Sequence, residues 1–121
     1  ETSFSLGIVL KDGDRHIGNV GLHGIHPFNR SGEFGIFLGD ADAREKGYGT
    51  EAGRLLIHHA FRELGLHRVQ LHVYAFNARA RRAYQKLGFR EEGTKREAYY
   101  RGGRFHDVIV MSILESEWGA S

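Results

Sequence analysis

The sequence predicts an α/β domain, α+β by some classifiers, with a mixed and mostly antiparallel sheet that contains a central parallel pair. Two observations carry this prediction. Apolar residues alternate with a period of two in strand segments such as residues 4–10 and 67–75, and the period becomes helical from Thr50 and again from Ala80. The resulting order is β-β-β-α-β-α-β-β. At 121 residues the chain is long enough for one domain, residues 1–121.

The first three strands are predicted at residues 4–10, 16–26 and 33–39. The first alternates Phe, Leu, Ile and Leu with smaller residues, as a half-buried strand does. Residues 11–14 contain Asp-Gly, the signal for a tight hairpin turn. A polar loop at residues 27–32 separates the second strand from the third.

The first helix is predicted from Thr50 to Leu64, where leucines and alanines recur at helical spacing. Gly65 stands where a helix-ending glycine belongs. Residues 67–75 then alternate as the fourth strand. Because a helix connects the third and fourth strands, these two are expected to be parallel.

A second, short helix is predicted from Ala80 to Leu87, ended by Gly88. Its apolar positions are spaced i, i+3, i+4 and i+7. Residues 89–100 and 105–114 are predicted to form a final hairpin about a turn with two glycines.

Composition excludes several classes of function. The chain has no cysteine, which removes disulfides, thiolate metal sites and a cysteine nucleophile and is compatible with the cytoplasm. No apolar run approaches the roughly 18 residues of a membrane-spanning helix, and the first residues do not predict a signal peptide. A net charge of +2 is too small to indicate nucleic-acid binding.

Residues 44–52 read R-E-K-G-Y-G-T-E-A and contain G-x-G-x-x-A, which alone could indicate a dinucleotide site. A Rossmann loop follows its strand directly and has an acidic residue about 20 positions later. Here seven residues intervene, and the next strand ends in Val-Tyr-Ala. A P-loop is excluded because no Gly-Lys-Ser/Thr follows.

What remains is a basic, glycine-rich loop that runs into a helix. Backbone N–H groups, the helix dipole and the side chains of Arg44 and Lys46 all favour an anion. The alternative on these residues alone is an ordinary loop that caps the helix.

Two blocks resemble a known family. Arg44-x-x-Gly47-x-Gly49 resembles the pyrophosphate-binding motif of the GNAT family of N-acetyltransferases. Residues 77–89 resemble the family's N-x-x-A-x-x-x-Y-x-x-x-G-F block. Short motifs elsewhere in the sequence are similar to those of the branch that contains ribosomal-protein and spermidine acetyltransferases. The resemblance covers about residues 4–118.

The resemblance implies acetyl-coenzyme A as co-substrate, an amine acceptor and the following sites. Asn77 is expected to meet the pantetheine or acetyl end of the coenzyme. The other implied coenzyme-binding residues are Phe37, Leu38, Arg44, Glu45, Lys46, Gly47, Tyr48, Gly49, Thr50 and Lys86.

Two residues are candidates for catalysis. Tyr84 is implied as the acid that protonates the leaving thiolate, although its place on the apolar stripe also suits a core residue. Glu33 is implied as a base acting through water, and a surface position or pairing within a hairpin is the alternative. His23, His26 and His72 are weaker candidates. Direct transfer is expected because no cysteine and no G-x-S-x-G nucleophile motif occur.

No metal site is predicted, because His23 and His26 face opposite sides of a strand and the adjacent His58 and His59 diverge on a helix. The short helix has a basic face, which is expected to be solvated, with contact to the coenzyme's phosphates as the alternative; it consists of Arg79, Arg81, Arg82 and Lys86. Nucleic-acid binding is not expected, because no aromatic residues interleave with these basic ones. An exposed sheet edge would allow a homo-oligomer.

The sequence begins at what looks like the second strand of the family's fold and without an initiator methionine. We therefore expect a domain that lacks the family's N-terminal strand and helices, which contribute to the acceptor wall. If those elements are missing altogether, the alternative function is a non-catalytic domain that binds or senses acyl-coenzyme A.

Overall fold

The computed structural model describes residues 4–10, 15–38 and 48–118, with side chains described over 21–35 and 51–118. Within these ranges the strands and helices have the following bounds: β1 Phe4–Leu10, β2 Arg15–His26, β3 Ser31–Leu38, α1 Tyr48–Arg62, β4 Arg68–Tyr74, α2 Ala78–Leu87, β5 Arg90–Arg101, β6 Arg104–Leu114 and α3 Glu115–Trp118.

The strands form one sheet in the order β1-β2-β3-β4-β6-β5. The central neighbours β3 and β4 are parallel, and all other neighbouring pairs are antiparallel. The predicted mixed sheet with a central parallel pair is therefore confirmed.

The core lies between one face of the sheet and the helices α1 and α2. On β4 the alternating residues Val69, Leu71 and Val73 are buried, and they pack with Phe34 of β3. From the helices the cluster includes Leu56, Ile57, Ala60, Phe61 and Leu87. Because strand side chains alternate between faces, the residues between these buried ones lie on the other side of the sheet.

We call that other side the polar face, defined by Glu33, Arg68, Gln70 and His72. These side chains are partly exposed and interact with one another. The sheet thus separates an apolar layer under the helices from a row of polar groups.

Several boundaries differ from those predicted. β3 and α1 each begin two residues before the predicted start, at Ser31 and Tyr48. The predicted turn at residues 11–14 lies outside the described residues. Differences of this size are expected, because the ends of elements follow backbone hydrogen bonds more than apolar spacing.

The short helix α3 is absent from the sequence-based prediction. Four residues are too few to show helical periodicity. Its contacts include a hydrogen bond from Leu114 N to Glu117 Oε1 at 3.0 Å, an ion pair of Glu117 with Arg90 at 3.2 Å, and the Trp118 ring 6.4 Å from that of Phe61.

Across the described ranges, no helix is long and apolar enough to cross a membrane.

Candidate functional site

The parallel strands β3 and β4 separate part-way along their length. They are in register only where Ser31, Gly32 and Glu33 pair with Arg68, Val69 and Gln70. β3 nevertheless continues to Leu38 and β4 to Tyr74. We call the divergent segments, residues 34–38 and 71–74, the fork.

The fork exposes backbone hydrogen-bonding groups in the middle of the sheet. On their outer sides the two segments remain paired, residues 34–38 with β2 and residues 71–74 with β6. Their inner edges face each other without a ladder of their own. Unpaired strand edges are places where an extended molecule can add backbone-type hydrogen bonds.

The predicted coenzyme-binding residues fall in and near the fork where they are described. Phe37 and Leu38 belong to its β3 side, and Tyr48, Gly49 and Thr50 form the first turn of α1. Arg44, Glu45, Lys46 and Gly47 lie outside the described residues.

Tyr84 lies on α2 above the start of the fork. Its ring meets the Phe34 ring edge-on at 6.1 Å and the Phe89 ring edge-on at 6.0 Å. Burial raises the pKa of Tyr84 above the usual value of 10.0. The phenol is consequently held in its neutral form at physiological pH and can donate a proton.

Asn77 is the N-cap of α2. Its Oδ1 accepts a hydrogen bond from Ala80 N at 3.1 Å, which satisfies a backbone donor of the first turn. The side-chain oxygen is therefore engaged in the helix, and the amide NH2 group is the part of Asn77 left for another partner.

Lys86 is exposed near the end of α2. It lines a groove of ≈ 740 Å³ between α1, α2 and α3 together with three other basic residues, namely Arg54, His58 and Arg90. Lys86 is thus separated from Tyr84 by half a helical turn and belongs to a basic surface.

Glu33 stands at the vertex of the fork, on the polar face. It is the last β3 residue in register with β4, and Phe34, its neighbour, points to the opposite face beneath Tyr84. The vertex therefore has a carboxylate on one side of the sheet and a neutral phenol on the other.

Glu33 is bonded to β4 through both carboxylate oxygens. Oε2 lies 2.7 Å from His72 Nδ1, and Oε1 lies 3.5 Å from Gln70 Nε2, which donates. Glu33 thus pairs with side chains of the parallel strand β4, and its own side chain is still 40% exposed.

The hydrogen bonds continue to β5. Gln70 Oε1 accepts from Arg68 Nε at 3.1 Å and Nη2 at 2.8 Å, and Arg68 Nη1 lies 2.9 Å from Glu92 Oε1. Hydrogen bonds from Arg68 and from Ser112 lower the pKa of Glu92. An ionised Glu92 thus fixes Arg68, and Arg68 fixes the orientation of the Gln70 amide.

Sequence reasoning did not find Arg68 and Gln70, and it ranked His72 low. Arg68, Gln70 and His72 alternate with the buried residues of β4, which indicates that these three polar residues share one face of the strand. Their meeting with Glu33 depends on the register of a parallel pair, 37 residues apart for Glu33 and Gln70, which no local pattern encodes.

A cavity of ≈ 310 Å³ lies next to Glu33. Its lining is mostly polar or glycine: His23, Gly24, Ser31, Gly32, Glu33 and Gln70. Its volume is at the lower end for small-molecule sites, and it offers a carboxylate to an amine. Among the described side chains, no group of three or more His, Cys, Asp or Glu residues is arranged to hold a metal ion.

Comparisons with known proteins agree with this geometry. Residues 1–90 match the family model for the acetyltransferase (GNAT) domain. The chain is 37% identical over 101 residues to the putative ribosomal N-acetyltransferase YdaF of Bacillus subtilis, covering 84% of this chain and 55% of the relative. It is 34% identical over 111 residues to the spermidine N(1)-acetyltransferase of Vibrio cholerae, covering 91% and 64%.

Solved structures give the same result. The Vibrio cholerae spermidine N-acetyltransferase in complex with CoA and spermine superposes with a TM-score of 0.90 at 30% identity, covering 98% of this chain and 69% of that one. The dodecameric structure of that enzyme has the same TM-score and identity and covers 98% and 68%. The chain spans less than two thirds of the length of both curated relatives. The forked sheet and these matches together show that the chain belongs to the GNAT acetyltransferase family.

Proposed function

We propose that this chain is an acetyl-coenzyme A-dependent N-acetyltransferase that transfers the acetyl group directly to a primary amine. The acceptor class is a protein N-terminal amine or a polyamine-like small molecule. The observation that carries the proposal is the fork, with Glu33 on one side of its vertex and Tyr84 on the other.

The fork suits the pantetheine arm of the coenzyme. That arm is extended and contains two amides, so it can pair with the free inner edges of residues 34–38 and 71–74 as an added strand would. Phe37 and Leu38 contribute their backbone. The Asn77 amide NH2 can donate to the same arm or to the acetyl end, since its oxygen caps α2.

The start of α1 suits the phosphates. The first backbone N–H groups of a helix have no partner within the helix, and the dipole there favours an anion. Tyr48, Gly49 and Thr50 supply this first turn. Arg44, Glu45, Lys46 and Gly47 precede it in the sequence and complete the proposed pyrophosphate loop, with Lys86 as a further cation for the coenzyme's phosphates.

The chemistry requires an uncharged amine and a protonated leaving group. Amines of this class have pKa values of about 8 to 10.4, so most acceptor molecules arrive as ammonium ions. Glu33, through water, takes one proton from the ammonium. The neutral nitrogen then forms the C–N bond as the C–S bond breaks.

Tyr84, on the other side of the sheet, is the proton donor for the leaving group. Its hydroxyl gives a proton to the departing thiolate, and the second proton lost by the acceptor nitrogen restores the phenol through water. One acetamide, one thiol and one proton released to solvent result. Burial of Tyr84 suits this role because it keeps the phenol neutral until the thiolate forms.

The test is release of free thiol from acetyl-coenzyme A with three acceptors: spermidine, spermine and a peptide with a free N-terminal amine. We expect turnover with at least one of them and none with the form of the same acceptor in which every primary amine is acetylated. Binding of acetyl-coenzyme A without thiol release would instead favour the acyl-coenzyme A-binding domain, and absence of binding would contradict both.

The same family membership supports two further expectations about the whole protein. A spermidine N-acetyltransferase relative is dodecameric, and here the edge strand β5 is exposed at nearly every position, so self-association is proposed. Light scattering after gel filtration measures it directly. A cytoplasmic location is proposed from the lack of cysteine and the need for acetyl-coenzyme A, and cell fractionation tests it.

A further inference from the structure

His72 is placed to act on the vertex of the fork through Glu33. It lies two residues beyond the last β4 residue in register with β3, and on the same face as Glu33. The distance of 2.7 Å between His72 Nδ1 and Glu33 Oε2 is that of a short, charge-assisted hydrogen bond. A carboxylate oxygen can only accept, so Nδ1 carries the hydrogen.

The other oxygen of Glu33 is restrained less tightly. Gln70 Nε2 lies 3.5 Å from Oε1, at the outer limit of a hydrogen bond. The Gln70 amide cannot turn over without pointing its NH2 group at Arg68, because its oxygen accepts two hydrogen bonds from that guanidinium. The Gln70 amide is therefore fixed in orientation but holds Glu33 weakly, and the hydrogen bond from His72 is the tighter restraint on the carboxylate.

We propose that His72 is a positioning residue for the acyl transfer, in that its Nδ1–H fixes the Glu33 carboxylate at the fork for removal of the acceptor's proton. The proposal rests on the proposed function, because it assigns His72 a part in that reaction. In this role the His72 side chain bonds to Glu33 and does not itself exchange a proton with the acceptor.

The partial exposure of both side chains indicates that the pair serves to orient Glu33 rather than to stabilise the fold. The side chains of His72 and Glu33 are 29% and 40% exposed, and partly exposed pairs of this kind contribute little to folding stability. Loss of the hydrogen bond should therefore appear in turnover while the fold stays intact. A carboxylate free to rotate spends less time in the geometry that proton transfer requires.

The experiment compares His72→Leu with His72→Asn. Leucine fills space without donating, whereas the asparagine amide places an N–H donor near the position of Nδ1 and restores the bond to Glu33. We expect His72→Leu to lower kcat about tenfold, part of the roughly 10²-fold or larger effect of a positioned base. His72→Asn should recover most of that loss, and KM for acetyl-coenzyme A should change in neither.

His67 supplies a matched control. It faces Glu115 at 3.9 Å, another histidine–glutamate pair, about 16 Å from His72 along β4. His67→Leu is expected to leave kcat unchanged. Thermal unfolding of each variant excludes a folding defect as the source of any loss.

A double variant tests whether His72 acts through Glu33. Glu33→Gln and Glu33→Gln/His72→Leu should have equal kcat, because the histidine has nothing left to position. An unchanged kcat in His72→Leu, equal losses in His72→Leu and His72→Asn, or additive losses in the double variant would each overturn the proposal. No turnover by the unsubstituted protein with any amine would instead refute the proposed function, and the proposal with it.

Discussion

At the scale of single residues, Tyr84 combines a place in the apolar core with a phenol that can donate a proton. It extends the apolar layer through edge-on contacts with Phe34 and Phe89, and the sequence placed it on the apolar stripe of α2 for that reason. The same burial raises its pKa and preserves the neutral phenol. The two readings of Tyr84 from the sequence are therefore compatible.

Replacing Tyr84 with Phe should lower kcat about a hundredfold, because the aromatic packing is retained and the proton donor is lost. The Kd for acetyl-coenzyme A should change little. Calorimetric titration and thiol release measure the two quantities. Tyr100→Phe, at a tyrosine 61% exposed on the final hairpin, is the control and should keep full activity.

The raised pKa of Tyr84 also predicts an alkaline stability loss. In the unfolded chain the phenol ionises near pH 10, whereas in the folded protein it ionises at higher pH. The contribution of Tyr84 to stability is thus complete below pH 10 and is lost as pH rises through the folded-state pKa. Urea unfolding from pH 8 to 11 should show a smaller decline for Tyr84→Phe than for the unsubstituted protein; equal declines would contradict this.

At the scale of elements, the end of α2 depends on a glycine. Gly88 has φ 110°, in the left-handed region, and its N–H caps the helix through Gln85 O and Tyr84 O. A Cβ there would lie 2.9 Å from Ile113 Cδ1 of β6. The helix that carries Tyr84 is therefore fitted to the sheet at a point where no other residue fits without strain.

Gly88→Ala should destabilise the protein by about 1–3 kcal/mol, from backbone strain together with overpacking. Denaturant unfolding measures the change. Gly93→Ala is the matched control, since a Cβ at Gly93 meets nothing within 4 Å and its φ is not in the left-handed region. A comparable loss in both variants would show that the effect does not depend on the left-handed conformation and close packing of Gly88.

At the scale of the whole molecule, the sheet consists of two halves joined at a short seam. β1, β2 and β3 form one half and β4, β6 and β5 the other, and among the described residues three pairs in register connect the two halves. The shared core beneath α1 and α2 supplies the remaining connection. A ligand that lies in the fork would add contacts to both halves at once.

Acetyl-coenzyme A should therefore stabilise the protein, by about 2.7 kcal/mol at a concentration of 100 times Kd. Hydrogen exchange should slow in peptides that contain residues 34–38 and 71–74, as the inner edges of the fork gain hydrogen-bond partners. Peptides from β5, at the sheet edge, serve as the internal control. Protection confined to regions outside the fork would contradict the proposed binding mode.

Much of the fold could be predicted from the sequence because its strands and helices depend on local sequence patterns. The alternation along β4, the stripe on α2 and the stop at Gly88 each depend on neighbours a few residues apart. The parallel pair followed from the helix between the two strands. The helix α3 was missed because its four residues hold no period, and it forms through tertiary contacts of Glu117 and Trp118.

The candidate site was predictable only in part, and Glu33 shows the limit. The resemblance named it, but the sequence could not say what holds it, since His72 lies 39 residues away and Gln70 lies 37 away. Asn77 is similar: its motif was read as a coenzyme contact, and the structure adds that its oxygen caps α2.

The order of strands and helices could be predicted from the sequence for every element but α3, and so could the family, because periodicity and short motifs are local properties of the chain. The tertiary structure was needed to show that β3 and β4 part after Glu33, with a carboxylate and an imidazole on one face of the sheet there and a phenol on the other. The cause of this difference is register. Which residues of two distant strands lie side by side is settled by packing of the whole core, and the site is built at the point where that pairing ends.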